Sequence, residues 1–174
     1  MSHILPGVDI VHFQNYWKEQ QKTAVHMDRD QVLAAVETFI RTHDTCGFAT
    51  GSGDFIRCTP MEYIYMDGCF YFYSEGGEKF IGLETNPNVS LCIYEYHGDP
   101  KDSHGLQCQG TAEIFPPRCD LFKKVLEFKG IPYDVVKAYQ VDVCLIKITP
   151  KVFEMYNTDF VAQGYDIRQT VRLD

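Results

Sequence analysis

The chain has 174 residues, 45% hydrophobic and 23% charged, with 24 acidic against 16 basic side chains and a formal net charge of −8. This length and composition suit one globular domain with a substantial core and exclude a disordered chain. The acidic balance argues against a nucleic-acid partner or docking on an anionic membrane, which both need a basic face.

Residues 1–26 read as an N-terminal extension. They hold Pro6, Gly7, Phe13, Tyr16 and Trp17, then a polar run at 18–22 of helical composition. So many aromatics imply packing against the body or against a second subunit. No basic region followed by a long apolar stretch opens the chain, and no run reaches the length of a membrane-spanning helix. A soluble, cytoplasmic protein is expected.

Asp28-Arg-Asp-Gln31 has the form of a helix N-cap with a glutamine three residues on. Val32, Val36, Phe39 and Ile40 then recur at helical spacing. From Cys46 the period changes to two. Residues 46–50 form a short strand, 51–54 a turn, and Phe55 to Met66 one long strand. Asp67-Gly68 is a hairpin turn, and Cys69 to Ser74 is the partner strand. Gly76-Gly77 turns the chain into a short helix that Asn86-Pro87 ends. Val89 to Tyr96 and Leu106 to Phe115 are further strands, with a polar loop at 97–104 between them. Helices are read at 118–129 and 134–139, then strands at 143–148 and 152–156 with a bend at Thr149-Pro150. Residues 158–174 read as a polar tail. About seven antiparallel strands of this kind tend to close into a barrel, which removes exposed edges.

Seven cysteines occur without a Cys-x-x-Cys pair, and at least five lie in strands. The odd count fits a reducing compartment, and no cysteine or histidine spacing indicates a metal site.

The candidate chemistry gathers at residues 68–88. Ser74, two glycine amides, a helix N-terminus and Lys79 together suit a small phosphate site. The same residues would also serve a plain solvated connection. Arg57 and Thr59 share one face of the long strand, and Pro60 beside them marks an edge, a bulge or an opening toward a ligand. Pairing across the Asp67-Gly68 turn sets Thr59 opposite Gly76, which brings Arg57 to the end of the hairpin that holds Lys79. An arginine fork with a lysine point charge is a common phosphate-holding pair. His97 and His104 flank a loop and are weaker acid–base or metal candidates. Gln107 lies on the polar face of its strand. No catalytic residue is readable.

The ordered set Arg57-Cys-Thr-Pro60, Asp67-Gly-Cys-Phe-Tyr-Phe-Tyr-Ser74, Glu78-Lys79, Leu83-Glu-Thr-Asn-Pro-Asn-Val-Ser-Leu91 and Leu106-Gln-Cys-Gln-Gly-Thr-Ala-Glu113 resembles the pyridoxamine 5′-phosphate oxidase-like flavoproteins. The resemblance covers roughly residues 30–156 and implies a mainly β, six- to seven-stranded antiparallel split β-barrel with flanking helices. It implies FMN bound at the interface of a homodimer, and flavin-dependent oxidation–reduction of a small molecule. The alternative it leaves is a non-catalytic flavin-binding or haem-handling protein of the same fold. It makes Arg57 and Lys79 phosphate ligands and Cys58, Thr59 and Pro60 the strand beside the flavin ring. Tyr73 and Ser74 become contacts to the phosphate and ribityl chain, and Gln107 a contact from a later strand. Three departures set the chain apart from the oxidases. Glu78 replaces a basic residue before the lysine, Glu62 replaces a strand lysine, and residues 158–174 lack the substrate-binding pattern.

Overall fold

A computed structural model describes residues 3–4, 6–96, 98–99, 101–138 and 141–173, with the backbone alone of Tyr96. The strands are β1 (Thr45–Ser52), β2 (Phe55–Glu62), β3 (Ile64–Met66), β4 (Cys69–Ser74), β5 (Asn88–Tyr96), β6 (Ser103–Phe115), β7 (Cys144–Asn157) and β8 (Arg168–Arg172). They join in one antiparallel sheet in the order β2-β1-β5-β6-β7-β4-β3, with β8 on β7. β2 and β3 stand at opposite edges of that order, yet only Tyr63 separates them in sequence. The sheet therefore curls until its two edges meet, which is the split barrel that the resemblance implies.

Tyr63 is the corner where the edges meet. It is 3% exposed, its amide donates to the Asp44 carbonyl at 2.7 Å, and its hydroxyl donates to the Ile40 carbonyl at 2.7 Å. Residues 55–66 are consequently two strands, not the single one the periodicity predicts. The expected pairs Ile64–Tyr71, Tyr65–Phe70 and Met66–Cys69 form, but beyond Tyr63 the chain leaves β4 for β1. Thr59 lies opposite Phe48, not Gly76. The turn itself is as read, with Asp67 and Gly68 at φ 51° and 74°, the left-handed pair of a two-residue hairpin.

Phe48 and Phe72 stack inside the barrel with centroids 5.1 Å apart. Helix α2 (Arg29–Arg41) covers one opening with Val32, Val36, Phe39 and Ile40, and Asp28 and Gln31 form its capping box. Helix α4 (Asp120–Lys129) packs Phe122, Val125 and Leu126 on Ile64, Tyr71 and Leu145. Helix α5 (Tyr133–Lys137) follows, and the Tyr139 end of its predicted span lies outside the described residues.

Three further readings change. The last two predicted strands are one, β7, whose bend is a register shift opposite Gln109 and Gly110. The tail is structured, because β8 buries Gln169 and Val171, and Phe160 is buried ahead of it. Helix α1 (Ile10–Gln21) begins eight residues before the polar run; it buries no side chain. No helix of the described residues is long and apolar enough to cross a membrane.

Candidate functional site

β4 ends at Ser74, and Gly76 and Gly77 follow at φ 134° and 100°, values that favour glycine. The Ser74 hydroxyl lies 3.2 Å from the Gly76 carbonyl, to which it donates, and accepts from the Gly76 amide at 3.3 Å. Helix α3 (Lys79–Leu83) then opens on Lys79. At five residues, α3 is too short for the helix dipole to carry the anion-binding role predicted for it. Lys79 is buried, 8% exposed, and its Nζ donates to the Gly76 carbonyl. Burial lowers its pKa below the usual lysine value; Cys144 opposes that shift and the Arg57 charge adds to it.

α3 is clamped onto the sheet. A Cβ on Gly82 would lie 2.8 Å from the Gly51 nitrogen and 3.1 Å from Thr50 Cβ. Asn86 Nδ2 donates to the Gly51 carbonyl at 2.7 Å, and the Ser52 and Thr85 hydroxyls meet at 2.5 Å. Lys79 is thus placed by backbone-to-backbone packing on β1.

Thr59, Pro60, Tyr73, Ser74 and Lys79 line one cavity of about 650 Å³. Its far wall is apolar: Leu126, Ile131, Val136 and Val143. The Thr59 hydroxyl oxygen is buried there with no hydrogen-bond partner, which in an apolar surround costs about 1–3 kcal/mol. Tyr73 donates its hydroxyl to the Phe122 carbonyl at 2.9 Å, so it ties α4 to the cavity. Arg57 stands outside the cavity lining, where Nη1 pairs with the Glu78 carboxylate.

Two predicted residues lie elsewhere. Cys58 is exposed, against the bare backbone of Gly47. Gln107 shares a cross-strand row with Cys92, Gly47 and Pro60, three strand spacings or about 14 Å from Pro60. His97 lies outside the described residues. His104 is largely covered; its Nδ1 lies 3.1 Å from one Glu95 oxygen, and His43 Nε2 lies 3.1 Å from the other. Among the described residues, no three His, Cys, Asp or Glu side chains are placed to hold a metal ion.

Sequence reasoning missed the apolar wall, the Arg57–Glu78 pair and His43. The wall comes from residues some fifty or more positions after Ser74, so no local pattern announces it. Glu78 was legible as a charge reversal, and its consequence, a carboxylate on Arg57, follows from the fold.

The model of the family described as "Pyridoxamine 5'-phosphate oxidase" matches residues 32–156. The chain belongs to that family. No curated protein matches it by sequence. Rv2991 from Mycobacterium tuberculosis is 18% identical with a TM-score of 0.64, over 80% of this chain and 91% of that one. ChuZ from Campylobacter jejuni is 14% identical with a TM-score of 0.64, over 95% and 69%. HutZ from Vibrio cholerae is 17% identical with a TM-score of 0.56, over 68% and 89%. These likenesses establish the split-barrel fold.

Proposed function

We propose that the chain binds FMN, with the phosphate held by Lys79, Ser74 and Arg57 and the flavin running past Cys58, Thr59 and Pro60. The observation that carries this reading is one cavity holding a buried lysine, a serine hydroxyl and an orphaned Thr59 hydroxyl, with a second cation at its rim. A buried ammonium is costly unless an anion compensates it, and a phosphate supplies that charge. Tyr73 keeps the cavity wall in place. Bound FMN supplies hydride and electron transfer. The chain's own residues hold the phosphate and shape the space beside the ring, for oxidation–reduction of a small molecule or electron donor. Gln107 lies outside the lining of the Lys79 cavity, and we infer a homodimer in which a second copy brings its Gln107 to the ring. Burial lifts the Cys46 and Cys108 thiols to about 12, which keeps them inert in a reducing cytoplasm.

A titration of FMN tests this. Arg57→Ala and Lys79→Ala are each expected to weaken binding about tenfold or more. Sedimentation of the loaded wild type should give twice the 20.0 kDa chain mass. Unchanged affinity in both variants would place the phosphate elsewhere, and a monomer would remove the dimer.

The second reading is haem. HutZ is described as a haem storage protein, and a protein of Mycobacterium smegmatis, with a TM-score of 0.57, as haem-binding. Among the described residues no histidine lines the Lys79 cavity, which favours FMN. A Soret band on adding haem, with no uptake of FMN, would reverse that preference.

A further inference from the structure

The Lys79 cavity is lined by two kinds of surface. Ser74 and the glycine turn supply polar groups, whereas the side chains of Leu126, Ile131, Val136 and Val143 are wholly apolar. A phosphate uses the first surface and has no use for the second. The apolar wall therefore calls for a hydrocarbon group within the same space as the lysine.

Lys79 is 8% exposed, and its Nζ donates to the Gly76 carbonyl, a neutral acceptor in its own turn. Among the described residues no carboxylate pairs with it. Glu78 is taken by Arg57, and Glu75, which also lines the cavity, is exposed. The nitrogen is open on the side of Gly77, where a Cβ would lie 3.4 Å from Nζ. Burial is the main influence on its proton and favours the neutral amine; Cys144 opposes this and Arg57 adds to it. An ordinary exposed lysine holds its proton near neutral pH and has no free lone pair. A lysine that is desolvated and set beside another cation is the arrangement that turns the amine into a nucleophile for carbonyl groups.

We propose that Lys79 condenses with an apolar aldehyde to form an imine, the hydrocarbon chain of the aldehyde lying against Leu126, Ile131, Val136 and Val143. The Nζ lone pair bonds to the carbonyl carbon, and one N–H proton passes to the carbonyl oxygen to give a carbinolamine. That hydroxyl then leaves with the remaining N–H proton as water, and the C=N bond forms. The step consumes no oxidant or reductant. Thr59, whose buried hydroxyl has no partner, lines the same cavity and is a donor for the carbinolamine oxygen. The assignment shares Lys79 with the FMN reading but rests on the amine and the apolar wall. Neither needs a flavin, so the two readings fail by different measurements.

The test is to treat the full chain with octanal at neutral pH in the presence of cyanoborohydride, which reduces an imine to a stable secondary amine. Peptide mapping by mass spectrometry then locates the adduct. Lys79 is expected to be labelled about tenfold or more faster than exposed lysines. Octanal should outpace propanal by about tenfold or more, through burial of its longer chain. Lys79→Arg should abolish the fast adduct and leave only slow surface labelling. Arg57→Gln, which removes the neighbouring cation, should slow labelling of Lys79, and Val136→Ser should narrow the chain-length preference. Labelling of surface lysines with Lys79 untouched, equal rates for octanal and propanal, or an unaffected Arg57→Gln variant would each overturn the assignment. So would displaceable binding of octanoate to the cavity with no octanal adduct at Lys79, which would make the lysine a plain ion-pairing group.

Discussion

Arg57 and Lys79 are both engaged by groups of the chain itself, Arg57 by the Glu78 carboxylate and Lys79 by the Gly76 carbonyl. An incoming phosphate must displace Glu78 from Arg57. That pair is well exposed, so its own contribution to stability is small, yet its negative charge faces the entering anion. Glu78→Gln is therefore expected to tighten FMN binding by several-fold to about tenfold, most at low salt. Weaker binding in that variant would mean that Glu78 orders the site instead of opposing its ligand. Lys79 adds a pH dependence. Its pKa in the free folded protein is lowered, chiefly by burial, and the phosphate needs the charged form. FMN affinity should fall as pH rises through that lowered value, and Lys79→Arg should flatten the profile. Free-protein stability moves the other way: the unfolded chain holds this proton more tightly, so stability gains as pH rises over the same window. An FMN affinity that is flat into the alkaline range for the wild type would contradict the role of Lys79.

The site depends on how α3 meets β1. Glycine to alanine inside a helix ordinarily gains up to about 1 kcal/mol. At Gly82 the new methyl would press on the Gly51 backbone, which cannot yield as a side chain can. Gly82→Ala is expected to cost about 1–3 kcal/mol in urea unfolding and to loosen FMN by displacing Lys79. An unchanged midpoint would show that α3 is free to shift. Elements of this kind were largely legible in the chain. The Asp28–Gln31 cap and the Asp67-Gly68 turn are local signals, and the structure keeps them. The break at Tyr63 was not legible. It arises because the sheet must close, and residues 55–66 show the same β pattern on either side of it. The tail was misread for a related reason: β8 takes its pairing from β7, and only Val171 and Gln169, facing the core, reveal it. The cations of the site were found by spacing, although the pairing first used to join them was wrong. Arg57 reaches Glu78, the residue before Lys79, from β2, which lies at the opposite edge of the sheet order from the β3–β4 hairpin. Curling of the sheet brings those edges together.

At the scale of the whole molecule, one curled sheet presents two distinct faces. Its closing seam sets a buried lysine, two hydroxyls and an apolar wall around one cavity. Its outer face carries Gln107 and the contact of Arg168 with Trp17, all outside the lining of that cavity. The net charge of −8 makes a cavity lined by cations an exception on this surface, which is the electrostatic reason to expect anions there. The central claim is that the seam cavity recognises a phosphate attached to a flavin. Side-by-side equilibrium titration of the wild type with FMN and with riboflavin, which differ only in that phosphate, measures this directly. Two charge-assisted contacts should make FMN bind about a hundredfold more tightly than riboflavin. Equal affinity for the two, or uptake of neither, would contradict it.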